Sequence, residues 1–397
     1  MRSITASAFK LCCTAALIFS KSYEHGNDHD VIEEGPSRLL FVGQAAIGLY
    51  VKYRPNGRRG EDFDISYTNE SEEAFSSIGE KKGVDAINPD GPSVTTARTY
   101  AKLGGEAAYI GILGDDDLAT RFEKAITADG VEDKTIRRDG ETTTELHSLV
   151  TPDGERQTYK VFGAGGSISE EDIHVSVMNN FDYYVVSTNM LRSPGKLALT
   201  TKMVDATLNS GKQIITLLPT SDFEVRYKDA LLNIVDKSAY VCGTKEEFAR
   251  LYGINNISGL KLYFLKATSG DHPIHKAVIM MTEEFGTFLF YGGRFQYILP
   301  STVLAVDTAG ADDVFGGALL YGILNGYTVQ QASKLAHAAV SDILTRIGIT
   351  FSEELSTRFD EIKRLPSKKL EEEMQEKAWE DMTRSMGTPQ LDTYESE

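Results

Sequence analysis

A chain of 397 residues with a formal net charge of −17 and three cysteines is long enough for one large α/β domain or two smaller ones. Its acidity argues against a nucleic-acid phosphate footprint, and no apolar run reaches the roughly 18 residues that a spanning helix needs. Of Cys12, Cys13 and Cys242, only Cys242 lies in the part that reads as folded, so that part has no disulfide framework.

Residues 1–22 hold Arg2, Lys10 and Lys21 and no acid, an apolar run over residues 11–19, and small residues at spacing two in Ser20-Lys21-Ser22. This is the layout of a secretory signal peptide and predicts the secretory pathway or the extracellular space; an organelle transit segment or an untargeted, cytoplasmic tail are the alternatives. Residues 23–37 are acidic and read as a linker, in which His25 and His29 read as solvated rather than metal-binding. Leu39, Leu40, Phe41 and Val42 form a buried strand ending at Gly43, and extended character continues over residues 45–51. Residues 53–88 are polar. Asp90-Gly91-Pro92 then opens a helix to Leu103, and residues 107–110 read as a strand into Gly111, Gly114 and Asp116, followed by a helix over 118–128. Residues 142–150 and 157–162 read as a hairpin about Pro152-Asp153-Gly154. Ser169 reads as the N-cap of a helix starting at Ser169-Glu170-Glu171-Asp172. Strands follow over 183–186, 213–218, 238–243 and 276–282, with a helix over 194–208 and a hairpin around Gly292-Gly293.

The stretch 306–317 is the centre of the pattern. An apolar run (Val303, Leu304, Ala305, Val306) meets the small residues of Thr308-Ala309-Gly310-Ala311, and Phe315, Ala318, Leu319, Gly322 and Ile323 then fall on one helical face. A helix N-terminus made this way offers unpaired N–H groups and a positive dipole end to a phosphate. A carboxylate held there takes a proton from a hydroxyl attacking that phosphate. The plain alternative is a packing corner that needs small residues. A further helix face runs from Val329 to Leu344 and stops by Gly348. Residues 366–397 read as a charged helical tail with a disordered end. The alternation of strands and helices from 38 to 365 predicts a doubly wound α/β domain with a small β lid, whose strands lie at about 45–56 and 142–162.

Asp307, Thr308, Gly310, Ala311 and Asp313 resemble the signature D-T-x-G-A-G-D of the PfkB-type (ribokinase-like) small-molecule kinases. Gly111, Gly114 and Asp116 resemble that family's G-x-[IV]-G-x-D motif, and residues 151–156, 163–165 and 221–223 are similar to its adenosine-kinase-type branch. The resemblance implies a ribokinase-like fold and transfer of the γ-phosphoryl group of ATP, with Mg2+, to a hydroxymethyl of an adenosine-like nucleoside or a sugar. It implies Asp313 as the base, the amides of Gly310, Ala311 and Asp312 as the anion hole, and acceptor contacts at the positions of Gly48, Gly91 and Thr95. It further implies nucleotide contacts at Thr244, Glu283, Gly286, Thr308 and His337, Glu247 acting on Mg2+ through water, and a homodimer formed through lid strands. Glu247 also reads as an ordinary acid in a helix first turn, and His337 as a packed helix histidine. The chain departs from the family where Gly48 replaces an Asp, Asp90 and Asp312 replace Gly, Thr95 and Thr244 replace Asn, and Glu283 enters a T-x-G turn. Departures in both pockets support a second reading, a kinase-fold chain with weakened catalysis that serves as a binding or scaffold subunit.

Overall fold

The computed structural model describes residues 37–52, 84–150, 156–218, 227–271, 273–282, 286–298 and 305–364. The targeting segment at 1–22, the acidic linker short of Ser37, Glu283 and the C-terminal tail at 366–397 lie outside the described residues.

In chain order the strands are β1 (Arg38–Val42), β2 (Ala46–Lys52), β3 (Ala86–Asp90), β4 (Glu106–Ile110), β5 (Ile112–Leu113), β6 (Glu132–Asp133), β7 (Ile136–Arg137), β8 (Thr144–Val150), β9 (Arg156–Val161), β10 (Tyr183–Ser187), β11 (Gln213–Leu217), β12 (Tyr240–Thr244), β13 (Ala277–Thr282), β14 (Gly286–Tyr291) and β15 (Arg294–Ile298). The helices are α1 (Pro92–Lys102), α2 (Asp117–Ala128), α3 (Pro194–Asn209), α4 (Lys228–Val235), α5 (Lys245–Tyr252), α6 (Ile257–Ala267), α7 (Ala311–Leu324), α8 (Val329–Leu344) and α9 (Glu354–Arg364).

The main sheet has the order β15-β14-β13-β12-β11-β10-β1-β4-β6. Pairing is parallel from β13 across to β6, and β14 and β15 add an antiparallel end. Strand order runs outward in both directions from β1, to β4 on one side and β10 on the other. The β1/β10 boundary is therefore a topological switch point, and ligands enter such sheets at the carboxyl ends of the strands there. The central strands are continuous apolar runs because both faces are covered. Leu39, Phe41, Tyr183 and Val185 pack toward α1, α2, α7, α8 and α9, whereas Leu40, Val42, Tyr184 and Val186 pack toward α3, α4, α5 and α6.

Helix α7 departs from the single apolar face read in the sequence: from Val314 to Leu324 every residue is buried. Its glycines allow this. A Cβ at Gly317 would lie 3.0 Å from Thr96 O on α1, and one at Gly322 would run into Ala332 of α8. Among the described residues, no helix is long and apolar enough to cross a membrane.

A second sheet, β3-β2-β8-β9, forms the lid. Its register aligns Asn88, Gly48, Leu146 and Lys160 as one row across the four strands, so these side-chain positions share a face. The helix start expected at Ser169 is corrected. There the Ser169 N–H and hydroxyl both donate to Asp172 Oδ2, and the Asp172 carboxylate also takes the Arg138 guanidinium at 2.8 Å. The segment closes into a turn, and helical turns begin only with the 3-10 segment Val175–Asn180.

Candidate active site

The turn before α7 is built by Asp307 and Gly310. Buried Asp307 accepts the Ala309 N–H on Oδ1 and the Gly348 N–H on Oδ2, both at 2.9 Å, which ties the turn to the loop after α8. Gly310 has φ 72°, and a Cβ there would lie 2.6 Å from Ile349 Cδ1, so both conformation and space call for glycine. Ala311, Asp312 and Asp313 then form the first turn of a fourteen-residue helix. The amides of that turn have no carbonyl four residues back to bond within the helix, and the helix dipole adds positive potential there.

Asp312 and Asp313 line a cavity of about 20 Å3 together with Thr96, Cys242, Thr244, Glu247 and Gly316. That volume holds one water molecule or a small cation. Glu247 comes from the first turn of α5, where Thr244 and Glu247 form a capping box: the Thr244 N–H donates to Glu247 Oε2 at 2.7 Å, and the Glu247 N–H donates to Thr244 Oγ1 at 3.3 Å. The Thr244 hydroxyl expected to face a nucleotide thus caps a helix. Glu247 is 4% exposed, and its other oxygen, Oε1, is buried with no hydrogen-bond partner among the described residues. Burial pushes the Glu247 carboxyl up to about 7, with the charge of Asp312 adding to the rise.

This donor set fits a Mg2+ ion. Among the described residues no three His, Cys, Asp or Glu side chains converge on a closed metal cage. Mg2+ needs no such cage, since one or two carboxylates hold it while water and substrate phosphates complete its shell. Glu247 with its orphaned oxygen, facing Asp312 across a space of ionic size, supplies that number. A cation between them also makes Asp312, otherwise a like charge, compatible with a phosphate site.

The opposite wall is α1. Gly91 is its N-cap at φ 128°, and Thr95 is fully buried beside the turn, its Cγ2 3.5 Å from the Cβ position of Gly310. Thr96 donates its hydroxyl to the Asp313 carbonyl at 3.4 Å. Gly48 lies in the lid under the Tyr50 ring, and a Cβ on it would fall 2.6 Å from Tyr50 Cε2. Tyr50 donates its hydroxyl to Asp90 Oδ2 at 2.7 Å, and both residues are buried. The pairings Ala46↔Asp90 and Gly48↔Asn88 put Asp90 on the face of Gly48. A buried carboxylate thus lies two residue pairs along from Gly48, on the neighbouring strand and the same face.

The structure therefore brings Gly310, Ala311, Asp312, Asp313, Thr95, Thr244 and Glu247 to one end of the sheet. Thr308, Gly286 and His337 do not line the cavity. Thr308 is exposed, Gly286 is the left-handed first residue of β14 at φ 74°, and His337 stands edge-on to Phe315 at 5.6 Å. Tyr50 and Asp90 escape a reading of motifs, and the pairing of β2 with β3 is the signal that finds them.

Residues 88–355 match the model of the pfkB family carbohydrate kinases. Aminoimidazole riboside kinase of Salmonella typhimurium is 25% identical over 282 residues, which cover 68% of this chain and 82% of that protein. Fructokinase-1 of Oryza sativa subsp. japonica is 27% identical over 266 residues, covering 64% and 79%. Among solved structures, the adenosine kinase from Sinorhizobium meliloti superposes with a TM-score of 0.69 at 22% identity, covering 82% of this chain and 99% of that one. A chain from E. coli described as ribokinase II, in complex with ATP and Mg2+, gives 0.64 at 19% identity, with coverage of 82% and 99%. These superpositions show the ribokinase-like fold.

Proposed function

The chain belongs to the pfkB family of carbohydrate kinases, and we propose that it moves the γ-phosphoryl group of ATP to a hydroxymethyl of a sugar or nucleoside, with Asp313 as the base. It is a kinase of the sugar and nucleoside class. The observation that carries the finer reading is the position of Asp313. It lies in the first turn of α7, at the positive end of that helix, and lines the same cavity as Asp312 and Glu247.

In this mechanism the acceptor oxygen forms a bond to the γ-phosphorus, the bond from that phosphorus to the bridging oxygen of ATP breaks, and ADP leaves. Asp313 takes the hydroxyl proton. The amides of Gly310, Ala311, Asp312 and Asp313 hold the equatorial oxygens as charge moves through the transferred group. Glu247 and Asp312 hold Mg2+, which when bound neutralises phosphate charge. Thr95 and the Tyr50–Asp90 pair border the acceptor. The aminoimidazole riboside kinase and fructokinase relatives make both acceptor classes reasonable for this chain. The homodimer is part of the same proposal, with the lid strand β9 as its contact.

Asp313→Asn tests the reading. It keeps the side chain's size and removes the base, so turnover should fall about 10²- to 10⁴-fold while Mg·ATP still raises the melting temperature. Full turnover by the variant with any acceptor that the wild type phosphorylates would overturn the assignment.

A further inference from the structure

The β1/β10 switch point carries a group of cations that the phosphoryl-transfer chemistry leaves unused. Lys196 lies in the first turn of α3, immediately beyond β10 and its following 3-10 turn, Thr188–Leu191. It is 8% exposed. Its Nζ donates to Gln44 Oε1, a neutral amide in the loop leaving β1, at 3.4 Å. Among the described residues no carboxylate pairs with it. Lys160 comes from the lid. It shares the row of Gly48 and Asn88, on the face where Tyr50 meets the Gly348 loop of the body. Lys160 is half-buried, and its ammonium sits 5.1 Å from the Phe162 ring centre, again with no acid against it among the described residues. Arg192 adds positive charge from the turn before α3. Burial, then the charges of Lys196 and Arg192, pull the Lys160 ammonium down to about 8; burial, then Arg192, lower that of Lys196.

This arrangement is unfavourable for the empty protein. An ammonium withdrawn from water, held by one neutral group and placed at the positive end of a helix, lacks the partner that normally offsets its burial. Acids are plentiful in a chain with 58 of them against 41 Lys and Arg, yet among the described residues none is placed against either lysine. An anion from outside supplies what is missing. The strand end bearing Thr244 and Glu247 is two strands away from β10, about 10 Å at the usual strand spacing.

We propose that the acceptor carries an anionic group, a phosphate monoester or a carboxylate, which sits between Lys160 and Lys196 at the β1/β10 switch point while its hydroxymethyl faces Asp313. The substrate is then an acidic sugar rather than a neutral sugar or a nucleoside. The proposal rests on the kinase reading for the transferred group only; the anion site stands on its own geometry.

Binding to the full-length chain, measured by calorimetry and thermal melting without nucleotide, tests it. The probes are inorganic phosphate, matched sets of a neutral sugar with its phosphate ester and its sugar acid, and adenosine. An acidic ligand should bind at least about tenfold tighter than its neutral parent, and the ester and acid arms tell phosphate from carboxylate. Lys196→Met should weaken that ligand about 100-fold, the scale of one charged hydrogen bond lost, and Lys160→Met about tenfold. Lys196→Met should also raise the melting temperature of the ligand-free chain, as a merely structural lysine would not. Equal or tighter binding of neutral sugars or adenosine, no binding of any acidic probe, or an unchanged acidic-ligand Kd in Lys196→Met each overturns the proposal. Mg·ATP stabilisation is measured alongside: its absence counts against the kinase reading and leaves the anion result to be judged by itself.

Discussion

At the scale of single residues, the lid shows why a missing side chain is not an empty place. Gly48 is small because the Tyr50 ring lies over it, and that ring holds Asp90 through a 2.7 Å hydrogen bond. Tyr50→Phe removes one donor from a buried carboxylate and should lower stability by about 1–3 kcal/mol, read as a lower urea midpoint. Gly48→Asp, which places a carboxylate where the family resemblance implies one, meets the same ring and should lose about 1–3 kcal/mol through overpacking. Combining it with Tyr50→Ala clears the space, so the double variant should lose less than the sum of the two single changes. Strict additivity would show that residues 48 and 50 do not share this volume.

At the scale of elements, buried polar anchors decide how the site's walls meet. Arg98, 3% exposed, reaches from α1 to Asp129 at the end of α2, to the Pro89 carbonyl of β3 and to the Ile349 carbonyl beside Gly310. Three acceptors in three directions suit a planar guanidinium and not an ammonium. Arg98→Lys should therefore cost about 3 kcal/mol, seen as a lower melting temperature. His275 anchors the other half of the sheet: fully buried, it contacts the Ser238 carbonyl through Nδ1 at 2.8 Å, while Nε2 has no partner among the described residues. Burial lowers its pKa from the ordinary 6.5. The unfolded chain then takes up a proton near 6.5 that the folded chain refuses, so this group's contribution is intact above that pH and is lost as pH falls below it. His275→Asn should flatten the pH dependence of stability between pH 7 and pH 5 by up to about 1.4 kcal/mol per pH unit; an unchanged slope in denaturant titrations would refute this. The same anchors explain what a linear reading reaches. The β1 strand and the turn at 307–313 are legible because an apolar run, small residues and first-turn acids carry their own local reasons. Asp90 is not, because β3 reads Ala-Ile-Asn-Pro-Asp, a weak strand whose Pro is tolerated at the end of the lid sheet's order. Ser169 misleads because the Asp172 carboxylate that takes its N–H and hydroxyl is also held by Arg138 from 34 residues away, which closes the segment into a turn. Lys196 looks like any helix lysine, and its burial depends on tertiary packing beside the β1 loop.

At the scale of the whole molecule, the proposed dimer pits local attraction against net charge. Beyond the end of β9, Phe162 is 78% exposed, and Val161 beside it is 38% exposed. Joined in a second copy, these side chains make a self-complementary apolar contact related by a two-fold axis. Each protomer also brings a net charge of −17, which opposes approach over the range that salt screens, about 10 Å at 0.1 M. The balance has a definite sign: apolar contact persists in salt and repulsion does not. Dimerisation through this patch should therefore strengthen as ionic strength rises from about 0.01 M to 0.15 M, the reverse of an interface held by ion pairs. Sedimentation equilibrium of the full chain reads this directly. Phe162→Glu should shift the equilibrium to monomer at every salt concentration while leaving circular dichroism unchanged. Association that weakens with added salt would assign any dimer to charged surfaces elsewhere, and a wild-type monomer at tens of micromolar would remove the lid as a contact altogether. Because β9 also carries Lys160, the dimer joins the frame of the anion subsite to subunit contact. A Phe162→Ser chain, which breaks the apolar contact without adding an acid beside Lys160, should consequently bind an acidic acceptor more weakly than the wild type.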